Sequence, residues 1–371
     1  MQPGGRGSPR DTGDDVMLRS RLHTWSYGKY MQSADRVRLA FVGCGAITSQ
    51  EHLPAALRSP RVDVLALVDE RVENAVALAR MYGLNVRTTR NLSEVLDDVQ
   101  GCVLATPNDT HYPIARQILE RGKPVLIEKP ITTRYDHALE LCDLAESRRT
   151  FISVGYRFRF FPSARLLKRL LEENYFGRVL SFHCEMGSAG GWAPVSGYNL
   201  DRARSGGGVL VINGTHFLDL ALFWFGDPVS HVYQDDDYGN VEANCKGAWS
   251  FDGPRGRFDG SFFFSKTIKL SNRFLIETER GRIEWSAADA ERIRVFDPQR
   301  PEVRIELSAL QRSGGVVDSF RDQIEEFCAN VLRPGTVSSD GRNGARSIRL
   351  IEDMYRGATR LDESWQPGQV G

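Results

Sequence analysis

The rhythm of apolar positions changes about halfway along this chain. In the first half, apolar runs that fit strands (Val37–Val42, Val62–Val68, Cys102–Ala105, Val125–Glu128 and Phe151–Tyr156) alternate with helical patterns at Glu73–Tyr82, Ser93–Val99, His111–Arg121 and Tyr135–Arg148. Such βα alternation argues a doubly wound parallel sheet. After about residue 160 a helix at Ser163–Glu173 leads to a strand near Val179–Glu185, a long glycine-rich loop through Gly208, and a second helix at His216–Phe225. Period-2 runs follow at Ala243–Phe251, Arg257–Phe264, Arg273–Thr278 and Arg282–Trp285, with Glu279-Arg-Gly281 reading as a hairpin turn. This half is predicted to be α+β with a mostly antiparallel sheet. Two late helices, Ser319–Val331 and Asn343–Arg360, close it, and the second is free to pack back on the first domain. The predicted architecture is therefore an α/β domain over 36–155 and an α+β domain over 156–371. Residues 1–35 are polar, rich in Gly and Arg and without a sustained period. They read as a disordered arm, unless translation begins at Met17 or Met31.

The 371 residues suffice for two domains with their own cores. Acidic and basic residues cancel, at 48 each, and no basic run stands out, so neither nucleic acid nor a membrane surface is an expected partner. No apolar stretch approaches the ~18 residues of a membrane span. The six cysteines are scattered without a CxxC pair, and no secretory signal is evident, which predicts reduced thiols in a cytoplasmic protein. The seven histidines lack metal-ligand spacing, so no metal is expected.

Candidate chemistry begins at Val37-Arg-Leu-Ala-Phe-Val-Gly-Cys-Gly-Ala-Ile-Thr48. Gly43 can make a tight strand-to-helix turn, and Gly45 leaves room for a pyrophosphate. The N–H groups of the helix start at Ala46 and Ile47 then face that phosphate. Thr48 stands where a third glycine would complete the motif. Asp69 closes the next apolar run and can accept hydrogen bonds from ribose hydroxyls, which favours NAD over NADP because a carboxylate repels a 2′-phosphate. Arg71, two residues on, leaves NADP open. The fifth strand ends Val125-Leu-Ile-Glu128-Lys129-Pro130, and ligands of doubly wound sheets sit beyond the carboxyl ends of the strands. An ammonium there can polarise a substrate oxygen or carry its proton while hydride moves to or from nicotinamide. The alternative is a solvated Glu-Lys pair on a loop.

From Gly43-Cys-Gly45 to the tail, the chain resembles the glucose–fructose oxidoreductase/inositol dehydrogenase/MocA group of NAD(P)-dependent oxidoreductases over roughly 37–360. The resemblance also rests on Thr106-Pro-Asn108-x-x-His111, Glu128-Lys129-Pro130, Arg159-Phe-x-Pro162, Ser205-Gly-Gly-Gly208, Gly214-x-His216-x-x-Asp219 and Asp340-Gly…Tyr355. It implies an N-terminal Rossmann domain and a C-terminal domain whose open antiparallel sheet makes a homo-oligomer interface. It further implies a sugar, sugar-nucleotide or cyclitol substrate. Lys129 would be the active-site lysine and His216 the second catalytic group. Thr106, Asn108, His111 and Glu128 would line the nicotinamide side. Tyr198 and Asp201, where the family often has Trp-x-x-Asp, would touch substrate, as would Arg159 and Asn213; Trp192 and Tyr198 equally read as loop anchors.

Two departures stand out. The family usually has Asp four residues before the histidine, where this chain has Ile212, so His216 lacks its carboxylate partner and should be less basic. Asp219, at i+3, is a candidate replacement. The family commonly has Asn where this chain has Arg157. Either Arg157 binds a carboxylate or phosphate of the substrate, or it pairs with a structural acid such as Asp201 or Glu185. The expected activity is NAD(H)-dependent oxidation or reduction of a sugar- or cyclitol-like carbinol. The rivals are a redox-neutral lyase or hydrolase with tightly held NAD, and a non-catalytic nucleotide-binding subunit.

Overall fold

The computed structural model describes residues 36–189, 197–237, 240–297, 299–309 and 316–361. The predicted arm, both alternative start methionines and Trp192 lie outside the described residues. Six strands, β1 (Val37–Val42), β2 (Val62–Val68), β3 (Arg87–Thr89), β4 (Gly101–Leu104), β5 (Val125–Ile127) and β6 (Ile152–Val154), form a parallel sheet in the order β3-β2-β1-β4-β5-β6. The order reverses between β1 and β4, so the loops at their carboxyl ends diverge and open a crevice. Every residue of β4, β5 and β6 is buried, which is why these segments read as unbroken apolar runs. Helices α1 (Leu53–Leu57), α2 (Val72–Met81), α3 (His111–Glu120) and α4 (Tyr135–Ser147) pack on the sheet.

Two local expectations fail here. The helix expected at Ser93–Val99 is a single 3-10 turn, Leu92–Glu94, started by Asn91, whose side chain accepts the Ser93 N–H at 3.1 Å. β3 was missed because Arg-Thr-Thr carries no apolar residue; it is an edge strand held by parallel pairing to β2.

The second half contributes α5 (Pro162–Glu172), β7 (Val179–Gly187), the short α6 (Arg202–Ser205) and α7 (Thr215–Phe225). β8 (Ser230–Asp235), β9 (Asn244–Gly253), β10 (Gly256–Ser265), β11 (Arg273–Thr278), β12 (Gly281–Ser286), β13 (Arg292–Asp297) and β14 (Arg300–Ser308) follow. Helices α8 (Val316–Leu332) and α9 (Gly341–Arg356) and the two-residue β15 (Thr359–Arg360) complete it. The second sheet runs β14-β13-β12-β11-β7-β10-β9-β8-β15, antiparallel except for the β7/β10 and β8/β15 pairs. Thr278 pairs with Gly281 across the expected hairpin turn. β13 and β14 escaped the sequence because their outward positions carry charges that pair across strands: Arg294 reaches Glu284 at 2.7 Å and Glu306 at 3.3 Å.

α7 lies against this sheet, with Phe217 stacked on Phe274 at 5.3 Å and Trp224 edge-on to Trp285 at 5.5 Å. Contrary to the sequence expectation, the segment Arg202–Phe225 is long and apolar enough to span a membrane, but 72% of its most apolar window is buried inside the protein. Both late helices, not only the last, fold back onto the parallel sheet. Phe320, Ile324 and Phe327 of α8 join the core of Leu39, Phe41 and Leu53, while Arg342 of α9 pairs with Asp143 and Glu146 of α4.

Candidate active site

β1 delivers the chain into Gly43, whose φ of +92° suits only glycine and whose Cβ would meet the Ala105 oxygen at 2.5 Å. Gly45, Ala46 and Ile47 are exposed at the start of the π-helical turn Thr48–His52 that runs into α1. Thr48 is buried beneath them and donates its hydroxyl to the Gly43 carbonyl at 2.6 Å, so the third-glycine position braces the loop and does not face a ligand. Asp69 is fixed beside the loop: one oxygen accepts the Cys44 N–H at 2.8 Å, the other the Arg71 N–H and the Asn74 amide, both at 3.0 Å. Arg71 is exposed at the start of α2. Exposed main chain at a helix start beside an immobilised carboxylate fits a dinucleotide, the former for pyrophosphate and the latter for ribose. Asp69→Ala should weaken NADH binding about 10–100-fold, the worth of a charge-assisted hydrogen bond, and narrow or reverse the preference over NADPH. Fluorescence titration of both cofactors measures this, and tighter NADPH binding by the unmodified protein would overturn the ribose assignment.

Lys129 emerges at the end of β5, with a cis peptide bond to Pro130. Its ammonium donates to the Ile212 carbonyl at 2.7 Å, so the residue that replaces the family's aspartate still meets the lysine through its main chain. Burial lowers the Lys129 pKa, and the positive charges of Arg157 and Lys266 add to this against Glu128. Glu128 is buried; it accepts the Lys129 N–H at 3.0 Å and pairs with the His52 Nε2 at 2.7 Å. Burial pushes the Glu128 carboxyl upward, but His52 and Lys129 outweigh it and hold the group below the usual carboxylate range. His52 was not anticipated: a lone histidine in the turn after the glycine loop carries no sequence signal for a carboxylate 76 residues away.

His216 lies across the cleft, its ring 5.0 Å from that of Phe158. Burial, reinforced by the charges of Lys129 and Arg157, holds its pKa well below the usual imidazole value, so it is neutral. Arg157 follows β6 in a 3-10 turn and lays its guanidinium 4.4 Å from the centre of the Phe158 ring and 5.7 Å from that of Phe320. The two structural acids weighed for it are engaged elsewhere. Glu185 pairs with Arg273 at 2.9 Å, and Asp201 caps α6 through the Ala203 N–H at 2.9 Å. Among the described residues Arg157 forms no ion pair, and its Nη1 is buried without a hydrogen-bond partner. The His216 Nδ1, Asn213 Oδ1, Glu51 Oε2 and His52 Nδ1 atoms are likewise buried and unpartnered. Buried polar atoms are nearly always paired, so Arg157 and His216, which are electrostatically coupled to Lys129, and Asn213, next to the Ile212 carbonyl that Lys129 holds, mark where ligand atoms would complete the hydrogen bonding.

Several expected roles change. Arg159 is not positioned as a substrate ligand: it is 3% exposed, pairs in two-pronged fashion with Asp219 at 2.8 and 2.7 Å, and also donates to the Ser338 carbonyl and the Asn343 side chain. Asp219 is therefore unavailable to His216. Asp201 is exposed and serves as a helix cap. His111 is fully buried with its ring nitrogens 2.8 and 2.9 Å from the Pro130 and Thr106 carbonyls, bracing the cleft wall without lining it. Asn108 ties the two halves together by donating to the Ser205 carbonyl at 2.8 Å. Glu128 turns its carboxylate to His52. Half-buried Thr106 accepts the Thr110 hydroxyl. Tyr198 is half-buried; burial raises its pKa, and the Glu128 and Asp109 charges add to the rise.

Comparison with known proteins agrees with this geometry. Residues 37–156 match the NAD-binding Rossmann fold of an oxidoreductase family, GFO_IDH_MocA, and residues 168–360 match its C-terminal alpha/beta domain. The rhizopine catabolism protein MocA of Rhizobium meliloti is 30% identical over 186 residues, 50% of this chain and 56% of that protein. Glucose-6-phosphate 3-dehydrogenase of Bacillus subtilis is 26% identical over 51% of this chain and 53% of its own length. The chain thus spans about half the length of these relatives. A levoglucosan dehydrogenase solved with NADH and levoglucosan superposes with a TM-score of 0.76 over 87% of this chain and 97% of that one, at 19% identity. With both family domains matched in order over most of its length, the chain belongs to the GFO/IDH/MocA oxidoreductase family, and its parallel-sheet domain is that family's NAD-binding Rossmann fold.

Proposed function

We propose that this protein is an NAD(H)-dependent oxidoreductase that oxidises a carbinol, or reduces the matching ketone, of a sugar-like substrate bearing a carboxylate or phosphate. The observation that carries the anionic part is the Arg157 guanidinium, buried with an unused donor beside Lys129, in a cleft where Ile212 stands in place of the family's acid. The Glu128 and Glu51 charges favour the guanidinium without bonding it; a buried charge with an unbonded donor is costly, and a planar oxyanion satisfies a guanidinium better than any neutral hydroxyl. The name of the Bacillus subtilis relative, which acts on a phosphorylated glucose, supports the same chemistry.

A bound nicotinamide supplies the hydride acceptor or donor. Lys129 holds the reacting oxygen; as the neutral amine it takes the proton during oxidation, as the ammonium it returns one during reduction, and its lowered pKa brings the neutral form within reach. Neutral His216 orients the substrate through the unpartnered Nδ1 and is too weakly basic to compete for the proton. Six unpaired thiols, all buried, support a reducing compartment such as the cytoplasm.

The test is a matched pair of substrates, glucose 6-phosphate against glucose, followed by absorbance at the nicotinamide band. Arg157→Asn should raise KM for the phosphorylated sugar about 10–100-fold and change the neutral one little. Ile212→Asp should restore some turnover of neutral sugars. Equal effects of Arg157→Asn on both members of the pair would make the arginine structural and the substrate neutral.

A further inference from the structure

Glu242, in the loop before β9, is fully buried at 0% exposure. One carboxylate oxygen accepts the Gly208 N–H at 2.8 Å; the other accepts the Leu210 N–H at 2.9 Å and the Tyr355 hydroxyl at 2.8 Å. Its main-chain oxygen accepts the Val209 N–H at 2.9 Å. A Cβ at Gly208 would lie 2.0 Å from that oxygen, so only glycine permits so close an approach. A single residue thus gathers three consecutive N–H groups at the start of the π-helical turn Leu210–Gly214, donors that a helix start leaves unpaired. That turn carries the Ile212 carbonyl that holds the Lys129 ammonium, and Asn213; His216 follows in the first turn of α7.

We infer that Glu242 is a positioning residue for the active site: its ionised carboxylate clamps Gly208, Leu210 and Tyr355, sets the turn that holds Ile212, Asn213 and His216 opposite Lys129, and releases that turn when protonated. The inference rests on Lys129 being the proton-transferring group. All three partners of the carboxylate are donors, so the ionised form satisfies them all, and adding a proton costs it an acceptor position. Burial pushes the Glu242 carboxyl up to about 7 against the pull of these hydrogen bonds, so the release falls near neutral pH. The groups facing Glu242 do not titrate there. Tyr355 from α9, Tyr233 from β8 and Cys245 from β9 are all raised well above their ordinary values by burial, and Arg202 is stacked 4.5 Å from the Tyr355 ring and paired with Asp237. Asp235, also from β8, is raised above its ordinary carboxylate value by burial.

The sign follows directly. Below about pH 7 Glu242 is protonated, the clamp loosens, and kcat should fall; above it the turn is fixed. The first readout is hydrogen exchange of the peptide spanning 205–216 in the full chain, corrected for intrinsic exchange and needing no substrate. Protection should drop roughly threefold or more between pH 8 and pH 6, and in Glu242→Gln should be low at both. The second is the pH profile with glucose 6-phosphate or the best substrate found: Glu242→Gln should lose the acid limb and about 10-fold of the plateau, with NADH affinity unchanged. Tyr355→Phe removes one donor that favours the ionised form, so it should move both midpoints to higher pH. Equal wild-type protection at pH 6 and pH 8, or an acid limb that persists in Glu242→Gln, overturns the inference. Should Glu242→Gln not fold, an unshifted midpoint in Tyr355→Phe does so. Absence of turnover with every sugar would count against the proposed function, while the exchange result would still judge Glu242.

Discussion

Lys129→Met should cut turnover about 10²–10⁴-fold and leave NADH affinity nearly unchanged. In the proposed function Lys129 is the proton carrier in the cleft, and the surroundings of the other candidates argue against them. His216 is held neutral by burial and by the charges of Lys129 and Arg157. Glu128 is engaged by His52 and its neighbour's N–H. Methionine keeps the length and apolar stem of lysine while removing the donor, so the Ile212 carbonyl loses a partner and the dinucleotide loop, on a different strand end, is untouched. Pre-steady-state absorbance at the nicotinamide band reads the chemical step, and fluorescence titration reads cofactor binding. Wild-type turnover in this variant would reduce Lys129 to a strand-end residue.

Asp219→Asn should cost about 3–5 kcal/mol of unfolding free energy. The Arg159 guanidinium is 3% exposed and Asp219 1%, joined by two hydrogen bonds of 2.8 and 2.7 Å. Burial raises the Asp219 pKa even though Arg159 pulls it down, so desolvation of the carboxylate is not fully offset by the pair. The pair as a whole therefore adds little net stability, yet removing one half strands the other charge. It would also loosen α9, since the same guanidinium holds the Ser338 carbonyl and the Asn343 side chain. Replacing both partners, Arg159→Met with Asp219→Leu, should recover most of the loss. Denaturant titration checks both variants; a loss under about 1 kcal/mol for Asp219→Asn would mean that water reaches the site and screens the arginine.

These two results divide along the line between local and non-local information. The strands of the parallel sheet were legible because their side chains are buried on both faces, and the limits of β1 and β2 coincide with the sequence reading. Gly43 was legible because a tight turn before a helix leaves few choices of residue. β3, β13 and β14 were not, since edge strands and charge-paired outer faces lack the apolar alternation that marks a half-buried strand. The chemistry divides in the same way. The sequence placed Lys129 and Asp69 at strand ends, and the parallel topology alone puts strand ends at a crevice. It offered both Arg157 and Arg159 as substrate contacts, and packing separated them: Arg159 points into Asp219 and α9, while Arg157 keeps an unused donor.

By itself, then, the sequence determined the alternation of strands and helices, the glycine turn and the residues at the strand ends, because each depends on side-chain periodicity or backbone sterics within a few residues. Only the tertiary structure decided which polar side chains are paired, as with His52 and Glu128 or Arg159 and Asp219, and which keep an unused donor, as with Arg157. It alone revealed the Glu242 clamp, whose donors lie 32, 34 and 113 residues away. Hydrogen-bond partners and desolvation are set by what else is packed within a few ångströms, and no pattern along the chain encodes that distance.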